Sequence, residues 1–109
     1  MNMTLLSRQY ARLQRQLADI GWISHGSVQD RGPGAGGPCY QWTRKEKGKT
    51  VTVALSAEQY TELKKAIANW RQLQNILRQM QRLSRERIFQ SLPPPPRRKR
   101  LSHKVLGLN

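Results

Sequence analysis

Four arginines, Arg71, Arg78, Arg82 and Arg85, follow one another at steps of seven, four and three, a spacing that lines side chains along one side of an α-helix. A row of guanidinium groups is suited to phosphate. Each is permanently charged and presents a planar fork of donors that fits two phosphate oxygens or the edge of a guanine. The row belongs to a wider imbalance: after Glu62 the chain carries twelve Lys or Arg against one acid, Glu86. A merely solvated helix face would interleave Glu with Arg to form pairs four residues apart, and this segment does not. Basic residues also crowd two other places, Arg44, Lys45, Lys47 and Lys49 within one short stretch, and Arg97, Arg98, Lys99 and Arg100 directly after four prolines. Over the whole chain 20 Lys and Arg face 6 Asp and Glu, a net charge of +14. Self-repulsion on that scale opposes compaction, so the composition implies a polyanionic partner, DNA or RNA ahead of an anionic membrane.

Other chemistry finds little support. The six acids, Asp19, Asp30, Glu46, Glu58, Glu62 and Glu86, form no recognisable metal or acid–base motif, which points away from an enzyme. Cys39 is the only cysteine, and His25 and His103 are far apart in the chain, so neither a disulfide nor a metal site is expected, and no cofactor. The stretch RGPGAGGP at 31–38 lacks the Lys and Ser/Thr opening a helix that a phosphate-binding loop needs. No segment is apolar for the roughly 18 residues that span a bilayer, and the N-terminal residues lack the apolar core of a secretion signal. A cytoplasmic location follows as the expectation.

The elements that must position these residues read as α+β. Leu6, Tyr10, Leu13, Leu17 and Ile20 recur at helical spacing, predicting an amphipathic helix with Thr4 as N-cap and Gly21 as stop, and with Trp22 and Ile23 folding back onto its apolar stripe. The glycine-rich stretch His25–Pro38 reads as a mobile loop. Residues 39–45 and 50–55 read as a β-hairpin turning at Gly48, with Tyr40, Trp42 and Arg44 on one face, and Tyr40 and Trp42 packing with Trp22, Leu55 and Trp70. Ser56 and Gln59 have the spacing of a capping box, opening a helix that runs to about Gln90 before Leu92-Pro93 ends it. A helix of that reach is about 50 Å long, more than the first helix covers. Its distal apolar stripe, Leu73, Leu77, Met80 and Leu83, is therefore expected to meet a partner protein or a second copy. Residues 1–92 would form one helix–hairpin–helix domain. Residues 93–109 would form a flexible basic tail, its polyproline start holding the charge away from the helix.

Five segments, Gly26-Ser27-Val28, Gly37 to Lys45 (GPCYQWTRK), Gly48 to Val53 (GKTVTV), Leu55 to Gln59 (LSAEQ) and Ile67 to Arg71 (IANWR), occur in an order that resembles an uncharacterised family of small bacterial proteins associated with transposases and other mobile elements. Many members carry a cysteine cluster between the first two segments; here that interval, QDRGPGAG at 29–36, has none, so no zinc site is inherited. The resemblance implies a mobile-element setting and a DNA or guide-like RNA partner. The residues thus point to a non-catalytic nucleic-acid-binding accessory protein that holds phosphates through the basic helix side, the hairpin tip and the tail. The alternative is a helical oligomerisation or adaptor protein whose charge only keeps it in solution.

Overall fold

A computed structural model describes residues 3–34, 37–96 and 100–108 and gives an α+β chain: α1 (Met3–Ala18), β1 (Ser27–Gly34), β2 (Gly37–Glu46), β3 (Lys49–Leu55), α2 (Ala57–Ser91) and α3 (His103–Leu106). Contacts divide it into two compact units. Residues 20–72 form one, and residues 1–19 with 73–109 the other, the division falling within α2.

In the first unit the strands make an antiparallel sheet in the order β1-β2-β3. Between β2 and β3 the turn falls where the sequence places it: Lys47 (φ 49°) and Gly48 (φ 80°) both take positive φ, as the tight turn matching strand twist requires. Tyr40, Trp42 and Arg44 lie directly opposite Leu55, Val53 and Val51, which puts all six on one face. The glycine-rich stretch departs from expectation, because most of it is strand β1 and not a loop. Ser27 to Asp30 pair with Thr43 to Tyr40; the register then slips, so that Arg31 and Gly32 oppose Cys39 alone before Pro33 meets Pro38. Gly32 (φ 76°) absorbs the slip, and its N–H is held by the Asp30 carboxylate at 2.9 Å. A proline is tolerated there because β1 is an edge strand.

Ser56 and Gln59 close the capping box in both directions: the Gln59 N–H donates to Ser56 Oγ at 3.1 Å, and the Ser56 N–H to Gln59 Oε1 at 2.9 Å. Ala66 and Ile67 are buried on the helix that follows, and the Tyr60 ring meets Tyr40 of the sheet at 4.7 Å between centroids. The segment entering the sheet is tied to the same helix by its backbone, with Asn69 Nδ2 donating to the Trp22 carbonyl (2.9 Å) and the Ser24 N–H to the Ala66 carbonyl (3.2 Å). That anchorage overturns the expectation for Trp22. Its backbone satisfies α2 while its side chain is 90% exposed, and Ile23 is exposed beside it. Trp42 does not depend on Trp22 either: its indole N–H donates to the His25 carbonyl at 3.1 Å.

The second unit has a different core. Leu6 and Leu13 of α1, Ile76 and Leu83 of α2, and Leu108 are all buried. On each helix the buried pair is seven residues apart, the two-turn repeat of a narrow helix–helix seam. Thr4 lies inside the first turn of α1, not at its cap. Glu86 is buried in this unit with Oε2 unpartnered and Oε1 3.9 Å from the Arg82 guanidinium. The end of the chain is not held away from α2. Ser102 caps α3 by accepting from the Val105 N–H, Gly107 (φ 72°) closes it, and Leu108 is buried. Leu101, Leu106 and Leu108 give this segment apolar surface to remove from water, which outweighs the extending effect of the prolines before it.

Candidate nucleic-acid interface

At the hairpin tip the four predicted basic residues separate into two kinds. Lys45, Lys47 and Lys49 are exposed. Arg44 is committed within the fold: its Nε donates to Glu46 Oε1 at 3.0 Å, and its guanidinium carbon lies 4.3 Å above the Trp42 ring centre. Glu46 also comes within 3.8 Å of His25 Nε2. The tip therefore offers three exposed ammonium groups that have no partner among the described residues, with Arg44 stiffening the strand beneath them.

On α2 the structure brings Arg78, Arg82 and Arg85 together. With Gln79 and Gln81 they line a shallow pocket of about 310 Å³. Arg82 and Arg85 are partly engaged by the end of the chain: Arg82 Nε donates to the Leu108 carbonyl (3.1 Å), and an Arg85 terminal nitrogen donates to that of Gly107 (3.4 Å). Arg85 also donates to Gln81 Oε1 at 3.2 Å. Half of the Arg82 side chain is nevertheless exposed, and a carbonyl oxygen satisfies only one of a guanidinium's five donors. Arg71 is exposed but belongs to the other unit. Arg100 is exposed, and Arg97, Arg98 and Lys99 lie outside the described residues.

The expected partner stripe is corrected. Leu83 is in the core, Leu73 and Met80 are partly covered, and Leu77 alone of the four is exposed. Ile76, not Leu77, turns inward, buried in the same unit as Leu6, Leu13 and Leu108. Exposed apolar surface persists farther along, where Ile88, Phe89 and Leu92 line a cleft of about 760 Å³ with Pro93, Pro94 and Leu101.

Charge divides unequally between the units. Residues 1–19 and 73–109 contain twelve basic and two acidic residues, a net +10; residues 20–72 contain eight and four, a net +4. One of the two acids in the first group, Glu86, is buried. Among the described residues Asp19 is therefore the one exposed acid of that unit, and the rest of its exposed charge is basic. Two of its features lie outside the expected contacts: the Ser102-to-Gly107 cap pair, legible as a helix start and stop, and the exposed Arg8, Arg12 and Arg15, whose spacing sets them off the apolar stripe of α1.

Among the described residues no three His, Cys, Asp or Glu side chains converge as metal ligands would, and no helix is long and apolar enough to cross a membrane. No known family model, curated protein or solved structure matches this chain.

Proposed function

We propose that this protein is a non-catalytic, nucleic-acid-binding accessory protein that works in the cytoplasm and holds a phosphate backbone. The observation that carries the reading is the concentration of charge, twelve basic side chains against two acids in the unit built from α1, the second half of α2 and the end of the chain. Arg78, Arg82 and Arg85 form its contact row, with Lys45, Lys47 and Lys49 as a second contact on the hairpin. In this reading these groups contact phosphates with little base reading of their own, so sequence choice comes from elsewhere, through a partner or a larger nucleoprotein assembly. The mobile-element setting is the one implied by the resemblance between Gly26 and Arg71.

The test is equilibrium binding to unrelated DNA and RNA sequences over a range of salt. Each phosphate neutralised contributes about 0.9 to the slope of log K against log salt on duplex DNA. Replacing Arg78, Arg82 and Arg85 together by Gln lowers that slope by about 2 to 3 and weakens binding to every sequence alike. Binding that ignores salt, or no binding to either nucleic acid at low ionic strength, refutes the proposal.

A further inference from the structure

The two helices of the basic unit carry the same local pattern. Residues 6–15 read LSRQYARLQR and residues 76–85 read ILRQMQRLSR, so that Arg8, Gln9, Arg12, Leu13 and Arg15 recur as Arg78, Gln79, Arg82, Leu83 and Arg85. The structure gives the matching positions matching roles. Leu6 and Ile76 are 3% and 2% exposed, and Leu13 and Leu83 are 7% and 8%. The arginines of both series stand exposed. On α1, Arg8 and Arg15 follow the buried Leu6 and Leu13 by two positions, about 200° around the helix, so they lie on the side away from those residues. On α2, Arg82 and Arg85 stand to Leu83 as Arg12 and Arg15 stand to Leu13, and also reach the Leu108 and Gly107 carbonyls.

We infer that Arg8, Arg12 and Arg15 form a second phosphate-binding row, equivalent to that of Arg78, Arg82 and Arg85, and that the ligand of both is a nucleic-acid backbone. This rests on the proposed function and goes beyond it, since that reading counts the α1 arginines only in the charge of the unit and names the α2 row and the hairpin lysines as the contacts. Three observations favour a phosphate ligand over a solvated face. The α1 row has no acid within it, and the sole acid on its side of the chain, Asp19, lies beyond the end of the helix. Among the described residues the Arg8, Arg12 and Arg15 guanidinium groups make no hydrogen bond or ion pair, whereas Arg82 and Arg85 share donors with the Leu108 and Gly107 carbonyls. Spaced at four and three residues, the α1 groups span about 10 Å of helix, a length over which one strand presents several phosphates. The α1 row is thus the freer of the two and contributes at least as much to binding.

The experiment uses the full chain with a short labelled DNA duplex and an RNA single strand of equal length, titrated by fluorescence anisotropy across a range of salt. Three variants are compared: R8Q/R12Q/R15Q, R78Q/R82Q/R85Q, and R8K/R12K/R15K, which keeps the charge. Circular dichroism confirms that each retains its helix, as expected from the good helix propensity of Gln and Lys. The α1 Gln variant is expected to lose about tenfold to a hundredfold in affinity at an ionic strength on the order of 0.1 M, with a slope lower by about 2 to 3 on the duplex. The Lys variant recovers most of that loss. A folded α1 Gln variant with unchanged affinity and slope, beside an α2 variant that loses both, overturns the second row and leaves the proposed function standing. Failure of the unaltered chain to bind either probe removes the proposed function itself and the second row with it.

Discussion

Substituting Gly26 by Ala tests the junction that leads the chain into the sheet. Gly26 has φ 108°, a backbone conformation that side chains disfavour, and a Cβ built there lies 2.5 Å from Trp42 Nε1 and 2.7 Å from the Thr43 carbonyl oxygen. Neither atom can yield cheaply. The indole is fixed by its hydrogen bond to the His25 carbonyl, and Thr43 is paired on both sides, to Ser27 and to Thr52. The backbone strain costs about 1 to 3 kcal/mol, and forcing a methyl group into packed surroundings about as much again. The expected loss is about 2 to 6 kcal/mol, a large part of the stability of a chain this size. Gly48 provides the internal control, since its φ of 80° is also positive but nothing lies within 4 Å of its Cβ position. Gly48→Ala therefore registers the backbone contribution alone, about 1 to 2 kcal/mol. Urea unfolding followed by tryptophan emission gives both values. Equal losses for the two variants, or a loss below about 1 kcal/mol at Gly26, would mean that the Trp42–His25 junction does not constrain the fold.

Two further outcomes follow from local geometry. Ser56→Ala removes one half of the reciprocal cap and should cost about 1 kcal/mol, read as a lower urea midpoint with unchanged slope; an unchanged midpoint would show that the α2 start does not rely on its cap. At Gly107 an added Cβ would lie 2.9 Å from Arg85 Cδ, at a φ of 72°. Gly107→Ala should therefore loosen the end of the chain, accelerating hydrogen exchange at the Leu106 and Leu108 amides, which donate to the Ser102 and His103 carbonyls. Because it removes no charge and releases Arg82 and Arg85 from their carbonyls, it should also strengthen phosphate binding; slower exchange or weaker binding would contradict the docking described here.

Features whose cause lies within a few residues could be read along the chain. Ser56 and Gln59 cap α2 because the partners are one turn apart, Gly48 turns the hairpin because the backbone there needs positive φ, and the helical spacing of Leu6 and Leu13 defines the inward side of α1. The basic row on α2 was legible for the same reason, since a helix converts sequence spacing directly into a face.

Tertiary structure alone decided which of several compatible surfaces were used. Strand β1 has little β propensity of its own and exists because β2 offers an edge whose backbone groups need partners, with Gly32 taking up the slip. Ile76 and Leu77 are neighbours of equal hydrophobic merit, and only the packing of the unit turned Ile76 in. Trp22 faces water while its carbonyl is held by Asn69 of α2, and Arg82 and Arg85 meet Leu108 and Gly107 because distant leucines bring the chain end back. Capping, turns and periodicity act over a few residues and can be read along the chain. Burial depends on which distant surface arrives first and fits, and a linear pattern does not contain that information.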